Sequence, residues 1–302
     1  MKSVETYTLG IIIPCYNVEK YLQQCIDSLL NNINDEILLV FVNDCSTDRT
    51  KDILDKLNFF KLKNVKVINS EVNLGLSGAR NLGLDLIGDS CGYISFVDSD
   101  DFVENGYYNE ILSVIYSENP DIIEYNCFNY ISDSNKTLRR IIPEGRSGLS
   151  SIQRNYFNYL FDKGQMFVHC RAIKYSIIKG EKFPVGRRYE DTFFTPKIYL
   201  KAKTVYSCNN VLLNYRVNDS GITKNPIKKD IFDFFESWAT NSKLFKNDQS
   251  ILNSIDNSFV LLIIAFSRNI GYPDLVKSLI KIIKFRGIKS IPVIYKVVKK
   301  NI

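Results

Sequence analysis

Three carboxylates fall within four residues in the stretch FVDSDD (96–101), at Asp98, Asp100 and Asp101. Like charges that close repel, so either a cation compensates them or they form an ordinary acidic turn ahead of a helix. Two carboxylates one residue apart can present oxygens to one divalent cation, and a hard cation so incompletely ligated is completed by water or phosphate oxygens. In the alternative, Ser99 or Asp100 caps the next helix. A second acidic pair, Glu190 and Asp191 in RRYEDTFF (187–194), precedes a helical stretch whose Phe193 and Phe194 are expected to anchor it in the core. The helix dipole favours acidic residues there, and a carboxylate held in a partly apolar cleft can also act as a general base.

Other polar stretches follow apolar runs in the same way. VNDCSTDRT (42–50) presents Asp44, an acceptor suited to a base or ribose, ahead of the capping types Ser46, Thr47 and Asp48. NLGLSGARN (73–81) joins Gly75 and Gly78, which permit close backbone approach, to Arg80 at a helix start, where an anion is favoured. The other reading of that stretch is a tight turn with Arg80 on the surface; the G-x-x-x-x-G-K spacing of a phosphate-binding Walker loop is absent. The single histidine, His169 in MFVHCRAI, has no company for a catalytic dyad or zinc centre and reads as a packed or surface residue. No Ser or Cys has an evident base and orienting partner, which argues against covalent acyl chemistry.

These residues need a frame to bring them together. LGIIIPCY (9–16), EILLVFVND (36–44), VKVIN (65–69) and YISFVD (93–98) read as buried strands. Between them Tyr21, Leu22, Cys25, Ile26, Leu29 and Leu30, then Ile53, Leu54 and Leu57, then LSGARNLGLDLI (76–87), recur at helical spacing. Such alternation predicts a parallel sheet covered by helices on both faces. YN, ND and DSDD fall at the C-terminal strand ends, where these sheets bind ligands. Beyond residue 105 the alternation loosens, with strands expected at 121–131 and 205–217 and helices at 151–162, 191–200 and from about Ile227 onward. Turn residues cluster at DSGITKNP (219–226) and mark the expected boundary between a domain of 1–225 and a helical region of 226–302.

The composition is that of a globular protein, with 45% apolar and 24% charged residues in a chain of 302. Seven scattered cysteines without a C-x-x-C pair argue for a reducing compartment and against a disulfide framework or structural zinc. The start MKSVETYTLGIIIPCYN lacks the pattern of a secretory signal, and FVLLIIAF (259–266) is too short to span a bilayer. A cytoplasmic protein is expected.

Taken in order, IIIPCYN (11–17), VNDCSTDRT, NLGLSGARN, FVDSDD and YEDTFF (189–194) resemble the motifs of inverting family 2 glycosyltransferases of the GT-A fold, over roughly residues 8 to 225. The resemblance implies an α/β architecture: a Rossmann-like mixed sheet with helices on both faces, a nucleotide-binding half at 1–105, an acceptor-binding half at 106–225 and a C-terminal helical appendage. It implies sugar transfer from a nucleotide donor, by default a UDP-sugar, to a hydroxyl of a lipid-linked glycan. A polyprenyl-diphosphate carrier in bacterial O-antigen or capsule assembly is the expected setting. Pro14, Tyr16, Asn17 and Asp44 then line the base and ribose pocket, with Asn73 and Arg80 nearby. Asp98, Ser99 and Asp100 form the diphosphate site, Asp98 and Asp100 hold Mn²⁺ or Mg²⁺, and Asp191, before Glu190, is the expected base. Cys45 stands where the family has glycine, and FVHCRAI replaces a segment that carries Trp-Asn-Lys. Two rival readings are a non-catalytic scaffold of the same fold, binding nucleotide or membrane, and a sugar nucleotidyltransferase. The second calls for a Gly-rich basic loop that IIIPCYNVEKYL does not supply.

The net charge of +6 resides in the tail: from Leu275 onward there are eight Lys or Arg and no acid. Basic and apolar residues at helical spacing suit either an anionic membrane surface or an ordinary packed helix, and the membrane is the expected partner. With no nucleic-acid motif interleaved, no nucleic-acid partner is expected. The protein is thus expected to be peripheral on the inner face of the plasma membrane.

Overall fold

The alternating pattern folds into a mixed ten-stranded sheet in the computed structural model, which describes residues 6–59, 62–132, 134–139, 141–142, 145–218, 221–222 and 224–270. The elements run β1 (Tyr7–Cys15), α1 (Leu22–Leu30), β2 (Ile37–Asn43), α2 (Thr50–Phe59), β3 (Val65–Asn69), α3 (Gly75–Ile87) and β4 (Cys91–Phe96). There follow β5 (Phe102–Val103), α4 (Tyr107–Glu118), β6 (Ile122–Ser132), β7 (Asn135–Arg139), β8 (Gly148–Ser151), α5 (Arg154–Asp162), β9 (Arg171–Lys174) and α6 (Tyr175–Ile178). The series ends with α7 (Asp191–Lys201), β10 (Thr204–Arg216), α8 (Lys228–Leu244) and α9 (Gln249–Ile270).

Strand order is β3-β2-β1-β4-β9-β6-β10-β5, with β7 on β6 and β8 on β10. β1 to β4 are mutually parallel, as the alternation predicts. The antiparallel β9, between β4 and β6, makes the whole sheet mixed. Every residue of β2 is buried, as a strand covered on both faces requires. Leu9, Ile11 and Ile13 of β1 join a core with Cys25, Ile26 and Leu29 of α1, Leu54 and Leu57 of α2, and Ile111 and Ile115 of α4. The alternate residues of β1 meet α3. A Cβ on Gly83 would stand 2.5 Å from Ile12 Cγ2, so glycine is what lets the α3 backbone approach the sheet.

Two compact units emerge: one from the described residues of 1–152, 167–186 and 198–217, the other from those of 153–166, 187–197 and 218–302. The first contains the sheet. The second contains α5, α8 and α9, with Trp238 stacked on Phe259 and its Nε1 donating to buried Asp256 at 2.8 Å. These units interleave along the chain, whereas the sequence reading divides it once, at 225/226. The basic tail, and with it the expected membrane contact, lies outside the described residues. No helix among the described residues is long and apolar enough to cross a membrane.

β10 pairs with β6 in register from Val205↔Ile122 to Cys208↔Tyr125, and resumes at Val211↔Asn126 and Leu213↔Cys127. The extra residues bulge out, and buried Asn126 manages them: its Nδ2 donates to Asn209 O at 3.0 Å, while its Oδ1 accepts from the amides of Ile141 and Ile142.

A charged network is buried under this half of the sheet. Arg171 Nε donates to Tyr199 Oη at 2.7 Å, Tyr199 Oη to Glu124 Oε2 at 2.9 Å, and Ser207 Oγ to Glu124 Oε1 at 2.9 Å. Breaking one partner of such a set strands the other charge, so Arg171→Met is expected to cost about 3–5 kcal/mol in urea unfolding. Arg171→Met/Glu124→Leu is expected to recover most of that loss.

Candidate active site

The C-terminal ends of β1 and β2 lead into loops that are tied to one another. Asn17, with φ at +51°, accepts Thr47 N at 2.8 Å and Thr47 Oγ1 at 3.3 Å on its Oδ1, and its own amide donates to Ser46 Oγ at 3.2 Å. Val18 N and Glu19 N donate to Thr50 Oγ1 and Asp48 Oδ2. Pro14 lies in β1 opposite Val42, and Tyr16 stands 48% exposed at the rim. Asp44 is buried; its amide extends the ladder to Cys15 O and its Oδ1 accepts Leu74 N at 2.7 Å. Burial outweighs the bonds from Leu74 and Gly75 and raises its pKa. Asn73 donates to Asp44 O and accepts Gly75 N, so the turn before α3 is anchored on the same aspartate. Cys45 has φ of +59°, the left-handed region where glycine is at ease. Pro14, Tyr16, Asn17, Asp44 and Asn73 are thus gathered on adjoining loops of the first unit.

The acidic turn follows β4. Arg80, on the sheet side of α3, is 1% exposed rather than on the surface, and its Nη2 donates to Asp98 Oδ1 at 2.7 Å. Its guanidinium also lies over the rings of Phe183 and Phe96. The other oxygen of Asp98 is 3.6 Å from His169 Nδ1. Burial opposes the Asp98 charge, but Arg80 and His169 outweigh it and hold the carboxyl well below the usual range. His169 is itself buried, which lowers its pKa despite the opposing pull of Asp98. Ser99 is buried and bonds the Cys15 thiol.

Asp100 and Asp101 meet different fates. Asp101 is 1% exposed and its Oδ1 accepts Arg216 N at 2.7 Å; burial, then the charges of Asp100 and Asp98, push its pKa well up. It ties the turn to the end of β10, where Arg216 Nε also donates to Asp100 O at 2.8 Å. Asp100 is compensated only in part: burial and the charge of Asp98 push it up to about 6, against the bond from its own amide and the charge of Arg216. A partly compensated carboxylate beside a neutralised one suits a cation that brings further ligands with it, as Mg²⁺ or Mn²⁺ does with phosphates. Among the described residues no group of three His, Cys, Asp or Glu is placed to hold a metal ion.

His169 and Arg216 are the contacts that the sequence did not disclose. His169 is placed by its turn: Tyr125 Oη donates to His169 O at 3.0 Å, Arg171 donates to Phe167 O, and the imidazole stacks on Phe167 and Tyr215. Its proximity to Asp98 spans 71 residues of chain and follows from β9 pairing beside β4, which no local pattern announces. Arg216 sits at the end of a strand that was expected, though nothing local ties it to the acidic turn.

Glu190 and Asp191 belong to the second unit, at the start of α7. Glu190 is 5% exposed and its carbonyl accepts Phe193 N and Phe194 N; both phenylalanines are buried, as expected. Asp191 is the first residue of the helix and is half-buried.

Because Asp100 takes up its proton more readily folded than unfolded, its charge destabilises the metal-free protein above about pH 6, and the penalty vanishes below about pH 4. Asp100→Asn is therefore expected to raise the metal-free melting temperature at pH 7.5 by roughly 2–5 °C, with no gain near pH 4. A loss at pH 7.5 would mean that some cationic group already neutralises Asp100.

Comparison with known proteins bears on the family and the fold. The glycosyl transferase family 2 profile matches residues 10–179, which include every motif of the first unit up to and beyond the His169 turn. Glycosyltransferase GlyA of Streptococcus pneumoniae serotype 4 is 29% identical over 247 residues, covering 79% of this chain and 35% of its own. The minor teichoic acid biosynthesis protein GgaB of Bacillus subtilis is 26% identical over 263 residues, covering 83% of this chain and 27% of its own. The chain therefore spans about a third or less of these relatives. In structure it resembles S. aureus TarS 1–349 in complex with UDP-GlcNAc, with a TM-score of 0.66 and 21% identity over 84% of this chain and 70% of that one. That likeness extends to the expected architecture, a mixed sheet with helices and a C-terminal helical part. The motifs, their placement at the strand ends and the profile match lead to one conclusion: the chain belongs to glycosyl transferase family 2.

Proposed function

We propose that the chain transfers a sugar from a UDP-sugar to a hydroxyl of a lipid-linked glycan, with inversion, in bacterial surface-polysaccharide assembly. The observation that carries this reading is the acidic turn, where Arg80 neutralises Asp98 and Asp100 is left with a charge that burial disfavours. Asp100, with Asp98, would hold Mn²⁺ or Mg²⁺. Such a cation, when bound, supplies Lewis-acid stabilisation of the leaving diphosphate. The donor's base and ribose fall to Tyr16, Asp44 and their loop neighbours Pro14, Asn17 and Asn73. The exposed Tyr16 ring suits base stacking, and Asp44 keeps acceptor capacity for a hydroxyl. Ser99, being buried, would shape the turn from behind.

Asp191 is assigned as the base on the strength of the YEDTFF motif, with Glu190 as the second choice. As the acceptor oxygen bonds to the anomeric carbon, the carbon–oxygen bond to the diphosphate breaks and its electron pair leaves with the phosphate. The hydroxyl proton passes to the Asp191 carboxylate. Attack opposite the leaving group inverts the anomeric centre in one displacement, without a covalent intermediate. The complexes of TarS with UDP-GlcNAc and with UDP support a uridine donor, and the likeness to the minor teichoic acid biosynthesis protein GgaB supports a cell-surface polymer as the product class. An O-antigen or capsule repeat unit on a polyprenyl diphosphate is the specific acceptor we propose. The acid-free basic segment after Leu275 would hold the protein to the inner face of the plasma membrane.

A thermal-shift screen with UDP, GDP, dTDP and CMP, each with Mn²⁺ or EDTA, tests this reading. A ligand at about a hundred times its Kd stabilises the native state by roughly 2.7 kcal/mol, so UDP with Mn²⁺ is expected to give a clear shift that EDTA removes. Asp191→Asn is expected to keep that shift and to lose transfer by about 10²–10⁴-fold. A response to none of the four nucleotides would favour a non-catalytic scaffold.

A further inference from the structure

Helix α7 contains Pro196, and a proline has no N–H to give to the carbonyl four residues before it. That carbonyl belongs to Thr192, in the first turn, next to Asp191. It is not left bare. Asn241 Nδ2 donates to Thr192 O at 2.9 Å and Ser237 Oγ donates to it at 3.2 Å, both from α8. The bond that a regular helix would make within itself has been handed to a different helix. Thr192 Oγ1 in turn donates to Tyr189 O at 2.8 Å, so the support reaches across Glu190 and Asp191.

The rest of that α8 face grips the segment leading into α7. Asp233 accepts Arg187 Nη1 at 2.9 Å and Arg188 N at 3.0 Å, Asp230 pairs with Arg188 Nε at 3.1 Å, and Phe234 packs on the Tyr189 ring at 4.4 Å between centroids. Residues 230, 233, 234, 237 and 241 follow the three-and-four spacing of a single helix face. Asp230, Asp233, Ser237 and Asn241 are all at most 4% exposed, although polar. Tyr189 holds φ at +57°, a conformation costly for a bulky residue that persists only where its surroundings impose it. This apparatus lies beyond the residues matched by the family profile, which end at 179.

We propose that α8 is the positioning element of the transferase reaction: Asn241, assisted by Ser237, replaces the hydrogen bond that Pro196 removes and so fixes the turn that carries the base. The inference rests on Asp191 being that base. Pro196 leaves one bond of that turn, the one to Thr192 O, unmade within the helix, and α8 supplies it. Asn241 and Ser237 are positioning residues and touch no substrate.

The test uses the full chain and three variants: Asn241→Ala, Pro196→Ala, and both together. In hydrogen exchange read by mass spectrometry, Asn241→Ala is expected to speed exchange of the Thr192, Phe193 and Phe194 amides by about tenfold. Adding Pro196→Ala, which returns an N–H to Thr192 O, is expected to bring exchange back to near the wild-type rate. In turnover followed as UDP release from UDP-GlcNAc, Asn241→Ala is expected to lower kcat about tenfold with KM unchanged, and the double variant to recover it. Exchange that is unaltered by Asn241→Ala, or not restored by Pro196→Ala, overturns the proposal, as does a change in KM alone. If Asn241→Ala proves too unstable, Ser237→Ala with and without Pro196→Ala reads the same coupling at the second donor. Asp191→Asn separates the two layers. Wild-type turnover in that variant removes the base assignment, while the exchange data still decide whether α8 closes the turn. A dead Asp191→Asn with no rescue by Pro196→Ala keeps the base and removes the role of α8.

Discussion

The acidic turn after β4 sets the terms for much of the first unit. Three aspartates in a largely buried turn cannot all stay charged unless each is compensated, and here each is treated differently. Asp98 receives a buried guanidinium, Asp101 receives a backbone amide and a raised pKa, and Asp100 is offset only in part by Arg216 and its own amide. Isolated buried charges are far costlier than paired ones. Burying Arg80 is affordable only because Asp98 awaits it, and placing Arg80 there depends on α3 lying close to β1, which Gly83 allows. Sheet packing and site electrostatics are therefore one problem with one solution.

How much of this was legible in the sequence depends on the range of the interaction. β1 to β4 and α1 to α3 announce themselves by period, and the same pattern places the polar motifs at their ends. α4 went unread although Tyr107, Tyr108, Ile111, Leu112 and Ile115 recur at helical spacing; the cue was present, closed off by Asn119 in a left-handed cap. The short β5, β7, β8 and β9 have two to five residues each and no pattern of their own, since they exist through their partners. In the same way Asp98 and Asp100 could be chosen from the motif, but their unequal compensation could not. It depends on Arg80 turning inward and on His169 arriving along β9, both facts of tertiary packing.

Non-glycine residues with positive φ mark several of these motifs. Asn17 and Cys45 sit in the two cross-linked loops, and Tyr189 precedes the second acidic pair. Asparagine tolerates this region through its short polar side chain, whereas cysteine and tyrosine gain nothing from it. At Cys45 the fold keeps a bend meant for glycine while carrying a side chain. At Tyr189 the bend is held by aromatic packing and by the neighbouring arginine–aspartate pairs. At Asn17, Cys45 and Tyr189 the left-handed backbone lies beside polar groups that the chemistry would use, and contacts between loops or helices hold it in place.

The bulge in β10 has a consequence for how the chain can vary. Residues 209–210 look like slack in a strand, yet they determine how far along the sheet Arg216 is delivered, and Arg216 is the residue that fastens Asp100 O and Asp101. Side chains alternate along a strand, so losing one residue there would turn Arg216 to the opposite face and set it one step short. The irregular stretch works as a spacer of fixed length. Its residue types are free to drift as long as Asn126 can bond the bulged backbone, but its length is not, so insertions and deletions should be tolerated elsewhere on the surface before they are tolerated here.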